Sequence, residues 1–458
     1  IKSERAVDGL LTLLDDESYY VRGDAAWALV EIKSERAEDG ADAPFFAWVH
    51  YFDPHLPYRS PLQRLNRFAA RPYDAEIAYV DAELGRLLRA LDESGAVDET
   101  LIVVAGDHGE ALGEHDEPTH GMLLYEPTMR VPFVISARSL LDRSYVDSDR
   151  VVGLTDIMPT VLDFLGVDGA PRADGVSLLA GTPDDRTIYI ETEMPWSLAG
   201  WSPLRGLRTH THKYILAPEP ELYDLAADPS ESRNVYSASE GVLDHLTELL
   251  AERLERHGPD GASRRALSDE EEERLSALGY TGGSAPGEPA PHEDRGASLP
   301  DPKAMMPVYN DALKAENLYS RGECSEAAAL AESVLDRSGM LLHAVRVLAF
   351  SYVRMGRADE ALRLLRETTE RNQNIFLIRS LAQVLIIDGR YEEALETLRL
   401  YEAVDPLDGR VPLLRGDVYA RQGRADRAEE EYERAIRIDE YRVGIQALER
   451  IDGLASGA

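Results

Sequence analysis

Cations are heavily outnumbered in this chain, and lysine above all is scarce. Lysine and arginine together number 49 against 84 aspartates and glutamates, which leaves a net charge of −35. Lysine occurs only at Lys2, Lys33, Lys213, Lys303 and Lys314. So acidic a chain repels nucleic acid and anionic membrane surfaces, and neither is expected as a partner. Cys324 is the single cysteine, so no intrachain disulfide forms. No apolar run approaches the roughly 18 residues of a membrane span, and no charged-then-apolar leader opens the chain. The expectation is a soluble chain whose compartment the sequence does not assign.

What is present divides along the length. The 458 residues are enough for about three domains. IKSERA at 1–6 returns at 32–37, with two amphipathic stretches between the copies. A shift near 30 with paired short helices is the pattern of a helical solenoid, and residues 1–40 resemble one HEAT-like unit. Residues 44–280 alternate strand-like and helix-like segments. Residues 45–50 read as a strand. Tyr73 to Leu91 reads as a helix with Ile77, Val80, Leu84, Leu87 and Leu88 on its apolar face. A further helix runs from Thr155 as N-cap to Gly166. Short strands at 187–191, 204–208 and 213–217 follow, as in an α/β body with an antiparallel appendage. Residues 281–303 are rich in Gly, Pro, Ser and charge and read as a linker. In residues 304–447, Gly322, Gly356, Gly389 and Gly423 recur, and each is followed five residues later by Ala327, Ala361, Ala394 or Ala428. The glycine closes a turn between paired helices and the alanine lets them approach. This resembles the tetratricopeptide repeat family, an α-solenoid whose concave face implies a protein partner; 448–458 is a tail.

Chemistry concentrates in residues 101–136. Leu101 to Ala105 reads as a buried strand that stops at Gly106, and Asp107 and His108 follow at once. A carboxylate and an imidazole at a strand's carboxyl end are a common place for metal and anion chemistry. Gly109 lets backbone approach a ligand closely. His115 and His120 follow in a polar loop, and 131–135 reads as a second buried strand. Upstream, Asp53-Pro54-His55 makes a tight turn that presents His55 outward. Downstream, 207–235 reads as a β-hairpin followed by a capping turn.

In this order, His50–Tyr58, Asp107–Glu110, His120–Pro132 and Leu222–Asn234 resemble the sulfatase family of the alkaline-phosphatase-like superfamily. The resemblance covers about 44–280. It implies an α/β sulfatase-like body and hydrolysis of a sulfate ester. It implies Asp107 and His108 as ligands of a divalent cation, calcium, with zinc or manganese as alternatives because His108 is the softer ligand. It implies His55 at the sulfate or nucleophile, and His120 at the sulfate or leaving group. His115 is read as a loop histidine. The family's C/S-x-P-x-R motif, source of its formylglycine nucleophile, is absent from this sequence, so formylglycine is not possible in this chain. No Asp-Asp pair closes a strand before Asp107 either. The expectation is therefore a fold incomplete on its N-terminal side and a chain inactive alone: a fragment, a fusion, or a partner to another chain that supplies the front half. The alternatives are a non-catalytic repeat scaffold and a phosphoester hydrolase or phosphotransferase of the same superfamily.

Overall fold

The structure is a computed structural model. It describes residues 46–56, 58, 62, 68–138, 150–167, 174–179, 181–183, 185–257, 299–372, 374–438 and 443–456. The HEAT-like stretch 1–40 and most of the expected linker lie outside the described residues. The chain divides into two compact units, one formed by residues up to 107 with 131–183, the other by 108–130 with 184–458.

In the first unit, helix α1 spans Pro72–Glu93, with proline in its first turn. Strand β1, Ile102–Ala105, pairs antiparallel with β2, Phe133–Ser136, in the register Val103 to Ile135. Helix α3 spans Ile157–Phe164 and enters through a short 3₁₀ turn at Leu154–Asp156. Four expectations are overturned in this unit. Residues 46–50 take no strand. The buried face of α1 is Ala75 and Glu76, while Ile77 is exposed. The entry to α3 is secured by buried Asp156, whose carboxylate accepts from Gly153 N at 2.8 Å and Val176 N at 2.9 Å; Thr155 is exposed. Nor are the two strands fully buried. Among the described residues of this unit they pair only with each other, and Val134 stands open.

The second unit begins with the loop 108–130, which contains the single-turn helix α2, Glu126–Met129. A four-stranded antiparallel sheet follows in sequential order: β3 Ile188–Thr192, β4 Leu204–Arg208, β5 His212–Leu216 and β6 Glu221–Asp224. Helix α4, Met194–Ala199, joins β3 to β4. Alternate residues point to opposite faces. Leu207, Tyr214 and Leu222 pack on Leu246 and Leu250 of helix α5, Glu240–His257. Leu204, Ile215 and Tyr223 enter a core shared with Met122, Leu124 and Trp201.

That core continues into the solenoid. Its helices are α6 Pro302–Ser320, α7 Cys324–Ser338, α8 Leu342–Arg354, α9 Ala358–Arg371, α10 Ile375–Ile387, α11 Tyr391–Val404, α12 Arg410–Arg421, α13 Ala425–Ile438 and α14 Gly444–Ser456. Asp301 caps α6 by accepting from Lys303 N at 2.9 Å, and Pro302 is its first residue. The four turn glycines have φ between +72° and +84°, and all four alanines are fully buried. Gly416 has a different task. A Cβ there would lie 2.3 Å from the ring of buried Tyr432, whose hydroxyl is tied to Asp417 at 3.0 Å. Gly416→Ala is expected to cost about 1–3 kcal/mol through this overpacking, read as a lowered urea midpoint.

Candidate functional site

In the first unit, β1 delivers the chain to Gly106, whose N–H donates to Pro132 O at 3.1 Å, and then to Asp107. His55 donates its backbone N–H to Glu76 Oε2 at 3.1 Å, its Nδ1 lies 2.7 Å from Leu56 O, and its ring sits 4.6 Å from that of Phe52. Glu76 is a buried carboxylate on α1, so this turn is held from below by helix α1. Burial pushes the Asp53 carboxyl up, and neighbouring His55 opposes the shift.

In the second unit the loop 108–130 is pinned to itself. Gly109 N–H donates to Thr128 O, Ala111 to Thr119 O and Gly113 to Glu117 O, each at 2.8 Å. The close approach at Gly109 is made by the chain itself: a Cβ there would stand 2.1 Å from Pro127 O. The loop stacks His108 on His120, with ring centroids 3.9 Å apart. His120 Nδ1 meets Glu110 Oε1 at 3.1 Å, and Glu110 is almost entirely buried. A carboxylate only accepts, so this contact puts the proton on Nδ1 and gives Nε2 the acceptor role in the neutral ring. His115 is engaged otherwise. It has φ of +53° and lies flat on Tyr125 at 3.7 Å, and Tyr125 in turn donates to Glu221 at 3.0 Å.

Sequence reasoning carried Glu110 only as a member of a motif, without a role, and missed Glu117 and a buried ion cluster. Glu117 Oε1 accepts from Met122 N at 2.7 Å and Leu123 N at 3.3 Å, and burial pushes its carboxyl up to about 7. Lys213, fully buried on β5, donates to Leu124 O at 3.0 Å and pairs with Glu126 at 2.9 Å and Glu231 at 2.8 Å. Burial works to raise Glu126, but Lys213 and Arg208 together hold it below the ordinary range. Glu231 stays raised by burial despite Lys213. Glu231 also accepts from Glu126 N at 2.6 Å. The two glutamates stand in separate motifs, His120–Pro132 and Leu222–Asn234, and no local signal joins either to Lys213.

Among the described residues no group of three or more His, Cys, Asp or Glu side chains is arranged to hold a metal ion. Calcium takes six to eight oxygens, more than the described donors bring together.

With this geometry established, the comparisons with known proteins identify the parts. Residues 28–167 match the sulfatase domain family, and residues 113–258 match the family described as N-sulphoglucosamine sulphohydrolase, C-terminal. Residues 347–450 match a tetratricopeptide repeat-like domain. The chain thus contains a sulfatase domain and a C-terminal tetratricopeptide-like domain. Its relatives include arylsulfatase K of Bos taurus, 31% identical over 192 residues, covering 39% of this chain and 35% of the relative. They include choline-sulfatase of Rhizobium meliloti, 31% identical over 189 residues, 40% and 36%. Another is the ulvan-active sulfatase of Formosa agariphila, 28% identical over 275 residues, 52% and 53%. The chain therefore spans between about a third and a half of the length of these relatives. Among the described residues no helix is long and apolar enough to cross a membrane.

Two outcomes follow from the buried charges. A carboxyl raised from 4.5 to about 7 favours the folded state fully below pH 4.5, and that contribution is lost as pH rises to about 7. Glu117→Gln keeps an oxygen for both backbone donors. It is expected to match the parent in urea midpoint at pH 4.5 and to exceed it by about 1–3 kcal/mol at pH 8. Lys213→Met leaves Glu126 and Glu231 buried without a cation and is expected to cost about 3–5 kcal/mol, with Glu231→Gln in the same chain restoring part of the loss. Equilibrium urea unfolding measures both, at pH 4.5 and pH 8 for Glu117→Gln and at pH 7.5 for Lys213→Met and its double variant.

Proposed function

We propose that this chain is the carboxyl-terminal part of a sulfuric ester hydrolase joined to a partner-docking solenoid. His120, aligned by Glu110, serves the sulfate or the leaving oxygen, and His55 faces the sulfate or the nucleophile. Asp107 and His108 contribute two ligands to a divalent cation, calcium before zinc or manganese, whose other ligands come from outside the described residues. The chemistry needs an attacking group, a charge stabiliser and a proton donor for the leaving alkoxide. The residues named supply the last two functions only. The nucleophile is absent from the sequence, so this chain by itself does not turn over sulfate esters. The tetratricopeptide-like region holds a protein partner.

The observation that carries this reading is the His120–Glu110 pair, with the His120 ring stacked on His108; the DHGE stretch lies within the sulfatase match and the HGxxLYE stretch within both that match and the sulphohydrolase C-terminal match. An imidazole oriented by a buried carboxylate is suited to proton transfer at a developing oxyanion.

The test is a side-by-side assay of aryl sulfate and aryl phosphate with this chain and with the longest reading frame that contains it. The longer frame is expected to cleave the sulfate, and His120→Ala within it to lower kcat/KM by about 10²–10⁴-fold. This chain alone is expected to cleave neither. Preference for phosphate in the longer frame makes the protein a phosphoester hydrolase. No activity in either, with the solenoid retaining a partner, makes it a scaffold.

A further inference from the structure

Glu110 aligns the ring of His120, but the backbone that carries the ring is fixed through the residues on either side of it. Behind it, the Thr119 carbonyl accepts from Ala111 N at 2.8 Å, which sets the plane of the peptide that enters His120. Ahead of it stands Gly121, in left-handed backbone with φ of +93°. Glycine holds a conformation least well on its own, so the chain is most free to swing directly beside the imidazole. Two segments remote in sequence act on these two neighbours. The Thr192 hydroxyl, on β3 and 71 residues beyond Gly121, donates to Gly121 O. Tyr309, a buried residue of solenoid helix α6, hydrogen-bonds the Thr119 side chain.

Each of these contacts is itself held. Thr192 Oγ1 accepts from Met194 N at 3.2 Å, and its single proton is given to Gly121. Met194 also closes over the same glycine: a Cβ on Gly121 would lie 2.7 Å from its Sδ and Cε atoms. On the far side of that peptide, Met122 N donates to Glu117 Oε1 at 2.7 Å. The peptide between Gly121 and Met122 is therefore gripped at its oxygen and at its nitrogen by two different parts of the chain. Tyr309 is 5% exposed and shares one apolar core with Met122 to Tyr125. The next residue, Asn310, donates to Asp116 O at 2.8 Å, so helix α6 meets the loop with consecutive side chains.

Building on the reading of His120 as the group that serves the sulfate or the leaving oxygen, we propose that Thr192 and Tyr309 are positioning residues for His120, which makes the first helix of the solenoid a working part of the hydrolase site. Neither side chain touches the reacting atoms. Thr192 stops the swing at Gly121, and Tyr309 stops the same motion at Thr119. A misplacement of about 1 Å, introduced by a change away from the chemistry, can cost about a hundredfold in rate, so an imidazole that transfers protons needs its backbone held on both sides. The solenoid then has a task besides docking, because its first helix holds the loop that carries His120.

Nitrogen-15 NMR of the full chain with labelled histidine tests this without any substrate. Spectra are taken at pH 8, above the range in which an unperturbed imidazole is charged, and the His120 signals are those lost in His120→Gln. The parent is expected to show His120 protonated at Nδ1. Thr192→Val and Tyr309→Phe are each expected to shift the His120 signals toward those of an imidazole exchanging between its two tautomers. Thr192→Ser, which keeps the hydroxyl, is expected to retain the parent signals, and so is Tyr319→Phe, on α6 beneath Arg354. Thr119→Val removes the Tyr309 contact from the loop side; it is expected to reproduce the Tyr309→Phe shift, and it decides if either of the first two variants fails to fold. A purely structural role would lower the urea midpoint and leave the His120 signals where they are. His120 signals unmoved in Thr192→Val or in Tyr309→Phe overturn the proposal while the alignment by Glu110 stands. A shift of equal size in Thr192→Ser or Tyr319→Phe overturns it as well. A parent ring protonated at Nε2 removes the Glu110 alignment, and the proposal with it.

Discussion

The buried ammonium of Lys213 is the contact on which the second unit depends. Its three donors meet three acceptors, Leu124 O, Glu126 and Glu231, and these come from segments roughly ninety residues and twenty residues away in sequence. The loop 108–130, strand β5 and the turn after β6 are therefore fixed to one another by one side chain. Two carboxylates around one ammonium leave a net negative charge in the interior. Arg208 offsets part of it through Glu126 at 3.4 Å. Buried ion clusters contribute little net stability compared with an apolar replacement, so their structural effect lies in specificity of position. Here that position is the start of helix α2, directly after the stretch that carries His120.

The loop is held from the other side by the solenoid. Asn310 donates to Asp116 O at 2.8 Å, and the Tyr309 hydroxyl hydrogen-bonds the Thr119 side chain. Lys303 reaches Glu221 at 3.4 Å, and Glu221 in turn accepts from Tyr125, the residue on which His115 is stacked. Met306 and Tyr309 of α6 share one apolar core with Met122 to Tyr125. Helix α6 is thus a wall of the loop as much as the first member of the repeat array. A chain cut at the linker would expose that core and release Asp116 and Thr119 from their partners.

How much of this could be read beforehand depends on how local the cause is. The turn glycines and buried alanines of the solenoid follow from steric rules within a single helix pair, and the periodicity exposed them. The sheet strands at 188–192, 204–208 and 212–216 likewise follow from alternation. In the loop, the importance of Asp107 to Glu110 and His120 was visible as motif. The separation of His115 from His120 was foreseeable only in part, because it rests on a left-handed backbone at His115 and the face of Tyr125. Glu117 and Lys213 were invisible as a buried acid and a buried base. Nothing local distinguishes them from surface charges, and their partners are set by tertiary contacts. The face of α1 was misjudged for a related reason: periodicity marks a stripe, whereas what covers it decides burial, and Glu76 is drawn inward by the backbone N–H of His55.

A short path of contacts joins helix α8 of the solenoid to the histidine loop. His343 meets Tyr309 edge-on at 6.3 Å, Arg346 pairs with Glu316 on the same helix α6, and Tyr309 bonds to Thr119, the residue before His120. Contiguity is not coupling by itself; coupling requires an element with two arrangements that both ends bias. The loop offers no such element. Gly109, Ala111 and Gly113 close its backbone on itself, Glu117 takes the N–H groups of Met122 and Leu123, and Glu110 fixes His120. From outside, Thr192 of β3 donates to Gly121 O, Tyr125 donates to Glu221, Lys213 holds Leu124 and Glu126, and Asn310 of α6 donates to Asp116 O. With this many ties the loop has one arrangement, and the stacked histidines are positioned by it.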